Sequence, residues 1–196
     1  MALFALFAHR EPPWIVVSAG GLLAAAALIG FSLSGTRWPP PWLASPGRRV
    51  VSLALAGLAV GVIGGVLQRH RLGPLPGLAG GLHPFVALAC LIGATEELVY
   101  RGWMLERLAA LGWPAAVTFS AVAHGAYKTA LFALPPAAHE GPFSLARIAL
   151  WTVVGGLMLG WLRVRSQSVW PAVLAHAAFD AVVYSAFAAP PWWVWG

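Results

Sequence analysis

Glu96, Glu97, Arg101, His124, Lys128, His176 and Asp180 are ionisable side chains set inside stretches of chain that are otherwise apolar. Carboxylates and imidazoles are the groups that move protons and activate water. Their spacing is orderly. Glu97 and Arg101 are four residues apart, so on a helix they share a face and neutralise each other. Glu96 is turned by about 100° from its neighbour and points elsewhere, outside that ion pair. His176 and Asp180 are again four apart, which sets a carboxyl one helical turn from an imidazole.

The surroundings make these residues expensive. The chain has 196 residues, of which 60% are hydrophobic and 9% charged, and its mean hydropathy is +0.78. A soluble domain carries about 25% charged residues, and one of this size could not keep so much apolar surface from water. The composition therefore implies a multi-pass membrane protein. At the centre of a spanning helix a charge costs about 2.5–3.5 kcal/mol, so a cluster of them reads first as a functional site. A buried polar network that only glues helices together is the plainer reading.

The apolar runs lie at 14–33, 50–67, 84–110, 114–134, 145–163 and 168–189. At 1.5 Å per residue these suit about six crossings in one domain spanning 1–196. Helix is the form expected, because lipid offers the backbone no hydrogen bonds. Pro and Gly break the runs at 37–49, 69–84 and around Pro114 and Pro135. Many of the eleven Trp fall near run ends: Trp14, Trp38, Trp42, Trp113, Trp161, Trp170, Trp192, Trp193 and Trp195. Membrane–water interfaces favour that placement. Gly57, Gly61, Gly64, Gly65, Gly155, Gly156 and Gly160 suit close helix packing. Cys90 is the single cysteine and reads as a packed thiol. The opening MALFALFAHREPPW reads as an interfacial lead-in rather than a cleaved signal.

The net charge of +6 does not imply nucleic-acid binding. Eleven of the twelve basic residues are Arg, scattered between apolar runs and not in blocks, as at membrane flanks. Depth adds an independent constraint. Let Y be the face reached after the first run and X the opposite one. Counting from Pro84, Pro114 and Pro171 puts Glu96 at ~12 Å, His124 at ~15 Å, His176 at ~8 Å and Asp180 at ~14 Å from Y. Three helices thus bring polar groups to one level. Lys128 lies ~21 Å from Y, and a lysine snorkelling to X is the favoured expectation for it.

These residues resemble the motifs of the CPBP family of intramembrane endopeptidases, the CAAX-processing and bacteriocin-processing type with its myxosortase-like branch. Glu96-Glu97-Leu98-Val99-Tyr100-Arg101 is similar to the family's Glu-Glu-x-x-x-Arg and is followed by Gly102. His176 to Asp180 matches His-x-x-x-Asn/Asp after the lead Ser168 to Pro171. The second motif, Phe-x-x-x-His, is imperfect: Ser120 stands where Phe is expected and Phe119 is one place early, which implies weaker packing beside His124. The resemblance covers residues 84–189. It implies hydrolysis by an activated water, with Glu96 as general base, His124 sharing that water, His176 stabilising the oxyanion, and Glu97 with Arg101 fixing the helix. Asp180 departs from an Asn there, since an ionised Asp only accepts hydrogen bonds; it orients the His176 ring, stays protonated or binds something else, and ring orientation is the favoured expectation.

The expected function is therefore cleavage of a membrane-tethered protein or peptide within the bilayer, with no cofactor and no nucleic-acid partner. Two alternatives remain: a non-catalytic immunity or scaffold protein that keeps the motifs, and a metal-dependent protease. In the latter Glu96, His124, His176 and Asp180 would hold Zn²⁺, although no His-Glu-x-x-His stands in the sequence. The arginines expected in loops at Y (Arg37, Arg48, Arg49, Arg107, Arg163, Arg165) outnumber those at X (Arg10, Arg69, Arg71, Arg147). The positive-inside rule then makes Y, and the site, cytoplasmic.

Overall fold

The computed structural model describes residues 41–43, 47–72, 84–133 and 144–185. Every regular element among them is helical. A 3-10 turn, Pro41–Leu43, precedes α1 (Arg48–Leu72). The helix α2 (Pro84–Glu97) runs without a break into a π-helical stretch, Leu98–Met104, then the single turn α3 (Leu105–Leu108) and a 3-10 turn, Ala109–Leu111. After Gly112, whose φ of 85° ends that segment, come α4 (Trp113–Ala133), α5 (Leu145–Ser166) and α6 (Trp170–Tyr184). Pro84, Pro114 and Pro171 each fall in a first turn, where the missing N–H has no intrahelical partner to lose.

Five of the six apolar runs are therefore helical, and the run at 14–33 lies outside the described residues. The third run is not the uninterrupted helix its hydropathy suggests, because the π stretch divides it directly after the two glutamates. Among the described residues, Arg48–Arg71 and Leu145–Ser166 are long and apolar enough to cross a membrane. Only 22% of each window is buried, the reverse of a soluble protein's core helix. Leu55, Ile63 and Leu67 on α1, with Leu150 and Trp151 on α5, face outward. The most buried large side chains are instead Arg101, Glu96 and Glu97. Polar inside and apolar outside is how a bundle solvated by lipid is built.

Packing follows the glycines. The α1 helix lies along α6, and α4 along α5. A methyl group added at Gly61 would collide with the carbonyl of Ala175, so the two backbones touch where no side chain fits. Gly156 and Gly160 bring α5 equally close to Ala121 and Val117 of α4. Gly155 is the exception to the expected pattern, with open space beside it. The interface expectation for the tryptophans also divides. Trp113, Trp161 and Trp170 are exposed, but Trp42 is buried against Val169 and Val173. Trp14, Trp38, Trp192, Trp193 and Trp195 lie outside the described residues.

A contrast between two glycines tests this packing. Gly61→Ala should destabilise the bundle by roughly 1–3 kcal/mol through overpacking, whereas Gly155→Ala should leave it unchanged or slightly firmer. Thermal melts of the two variants in one detergent would separate them.

Candidate active site

The site forms where the end of α2, the π stretch, α4 and α6 meet. Glu96 and Glu97 close α2, Arg101 comes from the π stretch, His124 and Lys128 from α4, and His176 and Asp180 from α6. Each set arrives on a different helix, and the matched depths expected from residue counting bring them into contact.

One guanidinium nitrogen organises the interior. Arg101 Nη1 donates to Glu97 Oε1 at 2.8 Å and to His124 Nδ1 at 2.9 Å, and the Arg101 and Glu97 side chains are fully buried. Arginine has no acceptor, so Nδ1 of His124 must supply a lone pair. The proton of that ring then sits on Nε2, which donates to Glu96 Oε2 at 3.1 Å. His124 is thereby fixed in one tautomer by its contacts at both ends.

Glu97 accepts a second bond through the same oxygen, from His176 Nδ1 at 2.9 Å. The orienting role expected of Asp180 thus falls to Glu97. Asp180 Oδ2 stands 3.9 Å from the other ring nitrogen, Nε2, beyond hydrogen-bond reach. Glu96 Oε2 stands 3.9 Å from that same nitrogen. His176 Nε2 therefore faces two carboxyls and is bonded to neither. Its side chain is 15% exposed, against 1% for Glu96 and 4% for His124, so it forms the open edge of the cluster. Gly93 on α2 leaves the space this edge needs, since a Cβ there would strike Asp180 and crowd the His176 ring.

Lys128 is the principal correction. It does not snorkel to a face: it is 8% exposed, and its Nζ lies 2.8 Å from Glu96 Oε1 in an ion pair angled away from a straight hydrogen bond. The signal for this was in the sequence, because Lys128 follows His124 by four residues and so shares its helix face. Glu96 is therefore not free of ionic partners, as its rotation away from Arg101 suggests. It has a different one.

The π stretch is what lets the first motif serve three neighbours at once. Its three central residues are all buried: Tyr100 stacks on the His124 ring at 4.5 Å, Arg101 binds as described, and Gly102 lies under the Trp42 ring. A Cβ at Gly102 would come within 2.8 Å of that ring. Ser120, out of place by the motif, donates to the Tyr100 carbonyl at 2.6 Å and is 1% exposed. The packing beside His124 is thus supplied by Tyr100, and Phe119 faces outward, 58% exposed. Ser120, Tyr100 and Trp42 have structural duties that motif spacing alone does not reveal.

The geometry is that of a proton-handling site: a buried carboxylate touched by one imidazole and faced by another, beside an ion-paired carboxylate that holds the second imidazole. A family model, the type II CAAX prenyl endopeptidase Rce1-like, matches residues 79–182, which include every one of these side chains. The chain belongs to that family. It is a protease family, and with two apolar, outward-facing helices the chain is a membrane protein and an enzyme of the CAAX-protease kind. No curated protein and no solved structure matches it.

As a metal site the same donors fit poorly. His124 Nε2 carries its proton and Nδ1 is engaged by Arg101, so neither nitrogen has a lone pair to give. The Lys128 ammonium already pairs with Oε1 of Glu96, which leaves that carboxylate one oxygen, Oε2, to offer. Among the described residues no group of three or more His, Cys, Asp or Glu is arranged to hold a metal.

The dependence on Glu97 is testable. Glu97→Gln leaves Arg101 buried without its counter-charge and should cost roughly 3–5 kcal/mol, seen as reduced folded yield and a lowered melting temperature in detergent. Wild-type stability for this variant would remove Glu97 from its structural role.

Proposed function

We propose that the protein is a glutamate-dependent intramembrane endopeptidase that hydrolyses a peptide bond in a membrane-tethered protein. The observation that carries this reading is the position of Glu96 Oε2, 3.1 Å from one imidazole and 3.9 Å from another on a separate helix, on a side chain that is 1% exposed.

In this mechanism a water beside Glu96 Oε2 gives its proton to that carboxylate and attacks the scissile carbonyl carbon. Lys128 occupies Oε1, which leaves Oε2 as the oxygen that works. His124, held in its Nε2–H form, steadies Glu96 through one hydrogen bond. His176, with Nδ1–H committed to Glu97, offers Nε2 at the open edge; in its doubly protonated form it donates to the oxyanion of the tetrahedral intermediate. The proton collected by Glu96 then passes to the departing amine, which restores the carboxylate. Asp180 faces the same Nε2 and accepts a hydrogen bond from water or substrate there. A peptide whose prenylated cysteine is followed by a short C-terminal tail fits the family's name, and a leader peptide or a C-terminal sorting anchor offers the same bond in the same setting.

The chemistry as drawn uses no metal, a reading supported by the protonated Nε2 of His124 and the ammonium on Glu96. With purified protein in nanodiscs and a lipid-anchored peptide, the Glu96→Gln protein that folds should lose about 10²–10⁴-fold in kcat, at a reduced yield because Lys128 loses its counter-charge. A strong chelator should leave the wild-type rate unchanged. Loss of activity on chelation, restored by Zn²⁺, would replace this mechanism with a metal-dependent one.

We also propose a multi-pass chain with the site entered from the cytoplasm. The ends of the helices support the alternation this needs: Arg49, Trp113 and Arg165 meet at one end of the bundle, while Arg71 lies over Trp151. Arg163 and Arg69, counted among the loop charges, are buried instead. Removing one from each side leaves the bias pointing the same way. A reporter fluorescent only in the cytoplasm should stay dark when fused to the C-terminus, and a bright signal would invert the topology.

A further inference from the structure

Away from the site, where α1 and α4 begin and α5 ends, a cavity of about 270 Å³ is lined by Arg49, Trp113, Trp161, Val164, Arg165 and Gln167. It gathers two guanidiniums and two indoles with no carboxylate. The four acidic residues among the described ones are all engaged elsewhere. Glu96, Glu97 and Asp180 belong to the cluster, and Glu106 binds Arg163 at 2.9 Å. Arg49 and Arg165 are exposed and lack an acidic partner among the described residues. Arg165 lies with its guanidinium 6.0 Å from the Trp161 ring. Such a contact uses the face of the guanidinium and leaves its edge N–H groups for an anion.

The wall is also pre-formed. Gln167 adopts a left-handed conformation, φ 58°, at the end of α5, and its Nε2 donates to the Val164 carbonyl at 2.6 Å, which fixes the turn. The level matters as much as the lining. Arg49 stands at the start of one apolar span and Arg165 at the end of the other. Two antiparallel spans thus deliver their arginines to one membrane face, beside indoles that prefer the interface. Phospholipid phosphates lie at that level, and basic pockets between helices on a membrane face suit anionic headgroups.

We propose that this cavity binds the headgroup of an anionic phospholipid, with Arg49 and Arg165 on the phosphate and Trp113 and Trp161 against the glycerol and upper acyl chains. An annular lipid held there would anchor the junction of α1, α4 and α5 without touching the catalytic residues.

The test is lipid retention by the full-length protein in detergent, followed by native mass spectrometry with equal amounts of phosphatidylglycerol and phosphatidylcholine. The wild type should keep phosphatidylglycerol preferentially. Arg49→Gln/Arg165→Gln should lose that preference by roughly thirty-fold, the combined effect of two basic side chains near an anionic headgroup. Arg165→Lys, which keeps the charge but not the fork, should lose part of it, and Arg107→Gln, an exposed arginine outside the cavity, none. Full retention by the double variant, an equal loss with Arg107→Gln, or displacement of the lipid by millimolar inorganic phosphate would each overturn the assignment; the last would make the ligand a soluble phosphate.

Discussion

Arg101 Nη1 makes the two hydrogen bonds on which the rest of the site depends. By donating to Glu97 it neutralises one carboxylate of an adjacent pair, and by donating to His124 Nδ1 it fixes which end of that imidazole carries a proton. Both consequences reach Glu96. A single charged Glu97 is tolerable at this depth because its partner is fully buried with it. Had Glu97 no such partner, the two neighbouring carboxylates would compete for Lys128 and both histidines. Arg101 divides the labour between the two glutamates, and the division follows from donor chemistry.

A guanidinium placed to serve two helices needs an unusual backbone, and the π stretch provides it. Widened turns of this kind commonly occur at functional sites. Here three consecutive residues meet three different neighbours: His124 for Tyr100, the ionic cluster for Arg101, and Trp42 for Gly102. Ser120 then satisfies the Tyr100 carbonyl. The carbonyl of Trp42, in turn, accepts from the Val169 N–H at the head of α6. The short segment Pro41–Leu43 therefore ties the first motif to the helix that carries His176. Glycine-mediated backbone contact, together with small buried apolar clusters such as Leu159, Leu162, Ala172 and Ala175, holds the helices at the spacing the cluster requires.

Much of this is legible in the sequence, for reasons specific to each residue. Pairing of Glu97 with Arg101 is local, set by a four-residue step. Convergence of Glu96, His124 and His176 could be read because helix rise converts residue counts into depth. Lys128 was misread because depth was counted at its Cα. Side chains on a helix lean toward the N-terminus, and for α4 that direction runs back toward Glu96. Which carboxylate takes His176 Nδ1 depends on the lateral placement of α2 against α6, and no spacing encodes it. The π stretch and the burial of Trp42 were equally hidden, the first because its residues are ordinary apolar ones, the second because a tryptophan beside a proline run resembles an interface anchor. The helices α1 and α5, whose runs at 50–67 and 145–163 are the shortest in the sequence, are long and apolar in the structure and carry none of the chemistry.

The claim on which the account turns is the state of the His124 ring, since that one tautomer links the structural ion pair to the proposed base. Nitrogen NMR of the full-length protein in nanodiscs, with labelled histidine and a His124→Gln sample to assign the signal, reports it directly. The account predicts a pyrrole-type, proton-bearing Nε2 and a pyridine-type Nδ1. A ring protonated at Nδ1, alone or together with Nε2, could not accept from Arg101 and would contradict it.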